Sequence, residues 1–218
     1  MFLRTSELGG YIMNIIEQSY QIINKPDNVL LDIEKAGRTC YKSEDNMSVN
    51  SSSKFVNTLV KSNHHAMIEF GHMTVRFITN RGVTHELVRH RMCSFAQEST
   101  RYVKYDGEME FIKPVWIDSD LVTEMNTRTK HIWIQSMKKA ESDYKKLLEE
   151  GWKAQQAREV LPNSLKTEIV VSANMREWRH IFKLRCSKAA HPQMRTLMIP
   201  LYNECLLEWP ELFKGIIS

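Results

Sequence analysis

At 218 residues, of which 42% are hydrophobic and 26% charged, the chain suits one globular domain or a compact two-lobed unit. The formal net charge of +4 favours anionic small molecules without requiring a nucleic-acid polymer, and charge alone does not decide between them. No run approaches the roughly 18 apolar residues of a membrane span, and the N-terminus lacks the continuous apolar segment of a signal peptide.

The cysteines, Cys40, Cys93, Cys186 and Cys205, form no CxxC pair and follow no regular spacing. Neither a zinc site nor a disulfide framework is therefore indicated. We expect reduced thiols in a cytoplasmic protein.

Residues 1–12 carry no clear period and precede a second methionine, Met13, where the patterned sequence begins. Gly9 and Gly10 can be encoded as GGAGG, a ribosome-binding sequence, with Tyr11 and Ile12 as a spacer before a start codon. Two interpretations stay open: an extra N-terminal arm, or translation that begins at Met13.

From Met13 onward the pattern alternates between strands and helices. Residues 13–23 read as a strand pair or one bent strand, and Pro26-Asp27-Asn28 supplies a turn and a helix start. A polar loop then leads to a second helix over 55–63. Residues 73–78 alternate apolar and polar side chains, which predicts a strand with one buried face.

The segment 83–102 holds the densest polar chemistry. Residues 83–91 fit a helix that would bring Glu86, Arg89 and His90 together at spacings of three and four. If residues 94–102 are extended, Gln97, Ser99 and Arg101 alternate onto one side. A hydroxyl beside a guanidinium suits a phosphate, because arginine offers a planar fork of donors. The alternative is a solvated basic helix end.

The second half reads as a strand broken by Pro114, a long amphipathic helix from the Asp118-Ser119-Asp120 cluster to Glu150, a short helix before Pro162, and a strand over 168–172. The helix after that strand carries an apolar stripe that Arg185 continues at the next inward position. An unpaired buried guanidinium costs several kcal/mol, so Arg185 meets a buried carboxylate or projects into a polar ligand cavity. A last helix holds Pro192 in its first turn and Pro200 inside.

Several histidines raise the question of a metal. None of their pairs shows a familiar ligand motif such as HExxH, so no metal site is predicted. The histidines concerned are His64, His65, His72, His85 and His90. The chain also lacks GxGxxG, which argues against a Rossmann domain.

Arg89-His90-Arg91, then seven residues, then Ser99, followed by Arg101 and Tyr102, resembles the signature of the flavin-dependent thymidylate synthases. Further matches flank this segment over most of the chain. The resemblance implies an α+β fold with a small central, mostly antiparallel sheet flanked by helices, as a single domain over residues 1–218.

The resemblance also implies roles for individual residues. Ser99 and Arg101 would hold the phosphate of dUMP, and Arg185, in LRC at 184–186, would stabilise the ionised uracil ring. Arg158 matches an arginine that reaches the nucleotide from another subunit. The cofactor-binding set is His64, Glu69, Arg89, His90, Arg91, Gln97, Asn174, Arg176 and His180, and the substrate-binding set is Glu86, Arg89, Gln97, Glu98, Ser99, Thr100, Arg101, Arg158 and Arg185.

This sequence departs from the family pattern at two positions. Ala66 stands where a small hydroxyl residue is usual, which puts a side-chain contact with the flavin in doubt. Glu86 stands where relatives often carry Gln, so its contact with the nucleotide could be altered.

The chemistry that the resemblance implies is the reductive methylation of dUMP to dTMP. The carbon donor would be 5,10-methylenetetrahydrofolate, and FAD reduced by NADPH would supply the electrons, within a homotetramer whose active sites are shared between subunits. The protein would contribute orientation and electrostatics. Two alternatives remain: a nucleic-acid-binding module on the same basic face, or a relative that has lost catalysis.

Overall fold

The computed structural model describes residues 13–118 and 124–217. Two expectations concern other residues: the choice between an arm and a later start for residues 1–12, and the start of the long helix around Ser119 and Asp120. Both lie outside the described residues.

The described chain forms an α+β fold. Its strands are β1 (Asn14–Ile16), β2 (Ser19–Asn24), β3 (His72–Asn80), β4 (Ser94–Gln97), β5 (Glu110–Ile112) and β6 (Lys166–Asn174). A four-stranded antiparallel sheet has the order β2-β3-β6-β4, and β1 pairs in parallel with β5, with Ile15 opposite Phe111. The predicted α+β class with a small, mostly antiparallel sheet is confirmed.

Helices flank the sheet. They are α1 (Val29–Thr39), α2 (Ser51–Lys61), α3 (Arg81–Leu87), α4 (Glu124–Glu149), α5 (Ala154–Ala157), α6 (Met175–Arg185), α7 (Pro192–Glu208) and α8 (Pro210–Phe213). Asn28 caps α1, since its side-chain oxygen accepts a hydrogen bond from the Leu31 N–H, as the sequence predicts. Within the described residues, no helix combines the length and the apolar character that crossing a membrane requires.

The chain divides into two compact units. The described residues of unit 1 come from Met1–Ser19, Phe77–Leu87 and Ala96–Ile169, and those of unit 2 come from Tyr20–Arg76, Val88–Phe95 and Val170–Ser218. The expectation of a single domain over residues 1–218 stays a prediction.

The strands β3 and β6 follow the period of two that the sequence shows. In both, every second side chain is buried, because successive residues of a strand point to opposite faces of the sheet. The buried positions are Met73, Val75, Phe77 and Thr79 in β3, and Thr167, Ile169, Val171 and Ala173 in β6.

The core of unit 2 lies under α6. Trp178 and Phe182 are fully buried, and the Phe182 ring packs edge-on against Phe213 at 5.4 Å between centroids. The indole N–H of Trp178 donates to the carbonyl of Met73 over 3.0 Å, so the one polar atom of this side chain is satisfied. The apolar stripe predicted for this helix is thereby confirmed.

Gly71 allows α6 to start close to α1. A Cβ at Gly71 would lie 2.3 Å from Cγ2 of Val29 and 3.0 Å from Cγ of Met175. The Met175 N–H donates to the Gly71 carbonyl over 2.8 Å. The backbone approaches these neighbours too closely for any side chain.

The core of unit 1 is built on α4. Met137 and Tyr144 pack with Phe111, and Trp133, Leu147 and Leu148 join them, which confirms that this helix is amphipathic, as predicted. The helix ends before Gly151, which takes φ +92°, a conformation that glycine adopts without strain.

Two local predictions between residues 83 and 102 are wrong. The helix ends at Leu87, so Glu86, Arg89 and His90 do not share a helical face; His90 lies in a turn and is directed into unit 2. The extended conformation ends at Gln97, because the N–H groups of Tyr102 and Val103 both donate to the Ser99 carbonyl and close a turn.

Candidate active site

His90 is the centre of the polar site in unit 2. It is 4% exposed although it lies in a loop. Its Nδ1 is 3.2 Å from Oε1 of Glu177, and its Nε2 accepts a hydrogen bond from Nε of Arg185 over 3.0 Å. Both ring nitrogens therefore have a partner on α6.

These two contacts determine where the proton of His90 resides. A guanidinium can only donate, so Nε2 is the acceptor and the proton of the neutral ring is on Nδ1, from which it points at the Glu177 carboxylate. Burial, reinforced by the positive charge of Arg185 and by His180, lowers the pKa of His90 to about 4. The contact with Glu177 is thus a hydrogen bond from a neutral imidazole to a carboxylate.

The start of α6 places Glu177. Asn174 caps the helix, and its Oδ1 accepts from the Glu177 N–H over 2.8 Å. Glu177 and Arg185 are eight residues apart, or about 2.2 helical turns, which still places both side chains within one broad face of α6. His90 lies against that face and contacts both.

One partner of Arg185 is a residue that its position in the stripe did not suggest. Its Nε donates to the imidazole of His90, and the residue is half-buried. Whether Arg185 also projects into a ligand cavity stays a prediction. A neutral imidazole accepts this hydrogen bond without itself neutralising the guanidinium charge. The site therefore orients a cation.

A second feature of unit 2 is a cavity of about 470 Å³ that His64 and Arg176 line. Arg176 is exposed, and its Nη1 donates to Oε1 of Glu69 over 2.6 Å. Ala66 also lines the cavity, and the hydroxyl expected at that position is absent from it. A cavity of this size suits a small molecule or part of a cofactor.

In unit 1, the side chains of Gln97 and Glu98 already have protein partners. Nε2 of Gln97 donates to the hydroxyl oxygens of Thr84, at 3.0 Å, and Thr167, at 3.3 Å. The Tyr105 hydroxyl donates to Glu98 over 2.5 Å, and burial together with this hydrogen bond raises the pKa of Tyr105. Both side chains are held in one orientation.

Ser99 and Arg101 belong to one turn. Oγ of Ser99 accepts from the Arg101 N–H over 3.3 Å, and the Arg101 guanidinium lies 5.3 Å from the centroid of the Tyr102 ring. Arg101 and Tyr102 are both exposed. The turn thus presents a hydroxyl and a cation within two residues of each other.

The other predicted residues differ in their exposure to solvent. Glu86 on α3 and Arg158 are half-buried, and Nε of Arg158 is 3.6 Å from Oε1 of Glu159. Arg89 and Arg91 are exposed on either side of His90, whereas Thr100 is 5% exposed.

The predicted residues fall into both units. Unit 2 holds His64, Glu69, Arg89, His90, Arg91, Asn174, Arg176, His180 and Arg185; unit 1 holds Glu86, Gln97, Glu98, Ser99, Thr100, Arg101 and Arg158. The structure directly joins Arg185 to His90, Arg176 to Glu69 and Arg101 to Ser99. The role assigned to each residue stays a prediction.

Sequence reasoning missed Glu177. An Asn followed three residues later by a Glu is a helix-start signature, in which the carboxylate usually turns back to the capping residue's N–H. That signal locates Glu177 at a helix start but not beside His90. Cys40, Tyr41 and Asn63, which also line the cavity, carried no signal.

Within the described part of the chain, His90, Glu177 and His180 bring their ligand atoms within 4.8 Å of one another, close enough for a metal ion. The hydrogen bonds of His90 oppose that use. Nδ1 carries the proton and Nε2 faces the N–H of Arg185, so a metal would have to displace one of them.

A solved structure shares the fold of this chain. A crystal structure described as a UMP/dUMP methylase, PolB, from Streptomyces cacaoi bound with 5-Br dUMP superposes with a TM-score of 0.78, over 92% of this chain and 95% of that chain. At 21% sequence identity, this likeness shows a shared fold.

The amino-acid sequence matches a known family. The profile of the family described as Thymidylate synthase complementing protein matches residues 21–211, and the chain belongs to that family. A flavin-dependent thymidylate synthase of Corynebacterium glutamicum is 33% identical over 196 residues, which cover 83% of this chain and 77% of that protein. Another, from Clostridium tetani, is 29% identical over 230 residues, covering 94% and 88% respectively. The expected family and an enzyme of this kind are confirmed.

Proposed function

We propose that the protein converts dUMP to dTMP by reductive methylation, with 5,10-methylenetetrahydrofolate as carbon donor and FAD reduced by NADPH as the electron source. The names of the relatives and the ligand of the Streptomyces methylase support this proposal. The observation that carries it is Arg185, a cation oriented by a buried neutral imidazole on the face of α6.

The residues of unit 2 fit a flavin nucleotide. The cavity that His64 and Arg176 line is large enough for part of a flavin, and Arg176 offers an exposed guanidinium for its negatively charged or carbonyl groups. We assign His64, Glu69, Arg89, His90, Arg91, Asn174, Arg176 and His180 to this binding. When bound, the reduced flavin supplies the two electrons that turn a methylene into a methyl group.

The turn at residues 99–101 suits the phosphate of dUMP. Ser99 contributes a hydroxyl and Arg101 an exposed guanidinium, and each charge-assisted hydrogen bond contributes roughly 1.5 to 3 kcal/mol. Glu86, Gln97, Glu98 and Thr100 would complete the nucleotide contacts within unit 1.

Arg185 would act on the uracil ring. C5 of uracil is a poor nucleophile, and a cation near N3 and O4 would stabilise the ring after N3 loses its proton, an anion whose delocalised charge makes C5 more nucleophilic toward the methylene carbon. Since His90 fixes the Nε edge of the guanidinium, the side chain is oriented before the substrate arrives.

We further propose that the active protein is a homotetramer in which Arg158 contacts the nucleotide of a neighbouring subunit.

The cysteines, Cys40, Cys93, Cys186 and Cys205, are all free thiols, which supports a reducing cytoplasm as the working compartment.

A reconstituted assay tests the proposal. Purified protein that is loaded with FAD and given dUMP, NADPH and 5,10-methylenetetrahydrofolate should form dTMP, detected by mass, and should not do so when any one of these is left out. Binding of nucleic acid without dTMP formation would support the alternative module. A protein that binds FAD and dUMP but makes no dTMP would indicate a relative without catalysis.

A further inference from the structure

Glu177 is a partly buried carboxylate that none of the roles above uses. Its side chain is 12% exposed, and its Oε1 lies 3.2 Å from Nδ1 of His90, the ring that accepts from Arg185 on its other side. The order of contacts is therefore carboxylate, imidazole, guanidinium. Each of the two hydrogen bonds depends on the proton that the imidazole carries.

The position of that proton decides whether Arg185 can stay where it is. With the proton on Nδ1, Nε2 presents a lone pair to the Arg185 N–H. With the proton on Nε2, two N–H groups would face each other across 3.0 Å, and the guanidinium would have to move away. A carboxylate accepts hydrogen bonds and cannot donate one when ionised, so Glu177 selects the first tautomer.

We propose that Glu177 is a positioning residue for Arg185, acting through the tautomer of His90. This inference rests on the proposed function only in so far as Arg185 acts on the substrate. Glu177 is well held for the task, because Asn174 fixes its backbone at the start of α6. Ionisable side chains near His90 and Glu177 include His180, whose ring is edge-on to His90 at 5.6 Å, Arg185, and Cys93, which interacts with Glu177.

The direct test is the tautomer of His90, observed by NMR with ¹⁵N-labelled histidine. In the full-length wild-type protein, we expect a proton on Nδ1 and a free lone pair on Nε2. Glu177→Leu, which removes the carboxylate, should shift the population toward Nε2–H or an exchanging mixture, and Glu177→Ala serves if the leucine variant does not fold. Glu177→Gln should keep the proton on Nδ1, because its amide oxygen still accepts. Lys183→Ala, an exposed change on the same helix, is the control.

The kinetic test is a double-mutant cycle between Glu177 and Arg185. Glu177→Leu should lower kcat at saturating dUMP by about 10-fold or more, while Glu177→Gln retains most of it. In an Arg185→Ala background, Glu177→Leu should have little further effect, because the group it positions is gone. Equal losses in both backgrounds would show that Glu177 acts independently of Arg185.

These readouts separate this inference from the proposed function. If the wild-type protein makes no dTMP, the proposed function fails while the NMR result still decides the tautomer. If the wild-type protein is active and Glu177→Leu leaves the His90 tautomer unchanged, the positioning role is refuted. Titration with Co²⁺ covers the metal alternative: a ligand-field spectrum that depends on Glu177 would mean that its carboxylate binds a metal instead of accepting from His90, and would overturn the inference.

Discussion

Arg185 donates its Nε hydrogen to Nε2 of His90 over 3.0 Å, and this contact joins the last turn of α6 to a buried residue of a loop that comes about a hundred positions earlier. It connects the arginine that completes the stripe of α6 with the central histidine of the Arg-His-Arg motif. The guanidinium is thereby oriented by the protein itself.

Arg185→Ala should impair catalysis more than binding. We expect kcat at saturating dUMP to fall by about 100-fold or more while FAD stays bound, because the cation acts on charge that develops during the reaction. Arg185→Lys should recover only part of the loss, since an ammonium lacks the planar Nε–H that His90 accepts. Steady-state kinetics and the flavin spectrum measure both effects. Full rescue of Arg185→Ala by higher dUMP would contradict the assignment.

Ser99→Ala should weaken dUMP binding and leave turnover measurable. The hydroxyl lies in a turn beside Arg101 and accepts from the Arg101 N–H, an arrangement that suits phosphate binding, whereas a nucleophilic serine needs a positioned base. Loss of one phosphate ligand costs about 1 to 3 kcal/mol, or roughly 5- to 150-fold in affinity. Ser136→Ala, at an exposed serine of α4, is the matched control. A Ser99→Ala variant that binds dUMP normally but shows no turnover would indicate that Ser99 takes part in the chemical step.

His90 should make the folded protein less stable as the pH falls from neutral. Its pKa is lowered to about 4, chiefly by burial, whereas the unfolded chain takes up this proton near pH 6.5. The unfolded state therefore binds more protons between these values, and stability present above about pH 6.5 is lost toward about pH 4. When the pH falls from about 7 to about 5, this residue should lower the free energy of unfolding by about 2 kcal/mol.

Denaturant titrations at the two pH values measure this difference. His90→Gln should make the free energy of unfolding less dependent on pH. His131→Gln, at an exposed histidine of α4, is the control and should leave that dependence unchanged. An equal slope in the wild-type protein and His90→Gln would show that other groups dominate.

Gly71→Ala should destabilise unit 2. A methyl group there would meet Cγ2 of Val29 at 2.3 Å, and the overpacking should cost about 1 to 3 kcal/mol of unfolding free energy. Gly107→Ala is the control, because a Cβ at Gly107 has no neighbour within 4 Å. Thermal unfolding of the two variants compares them, and similar midpoints would show that the packing around Gly71 adjusts easily.

A shared active site makes two inactive variants complement each other. Light scattering should give four times the mass of one chain for the active species. If Arg158 serves a neighbouring subunit, mixed tetramers of Arg158→Ala and Arg185→Ala should recover up to roughly a quarter of wild-type activity, because some sites receive both native arginines. Each variant alone is the control. An active monomer, or mixtures no better than either parent, would refute the shared site.

The sequence by itself determined the elements with a strong local signal. The alternation around Met73 and Val75 gave β3 with one buried face, and the stripe of α6 followed from the helical period that places Trp178 and Phe182 together. Asn28 marked the start of α1, because a side-chain oxygen there satisfies a helix N–H. The Arg-His-Arg and Ser99 signature identified the family.

Only the tertiary structure decided where the polar side chains of the motif point. A helical spacing grouped Glu86 with His90, but the helix stops at Leu87 because burial of the His90 ring against α6 outweighs continuation of a local pattern. Likewise, a capping signature predicts that the Glu177 carboxylate turns back to the start of its own helix. In the structure it contacts His90, which lies 87 positions earlier in the sequence. Hydrogen bonds between side chains distant in sequence depend on packing, which no local period records.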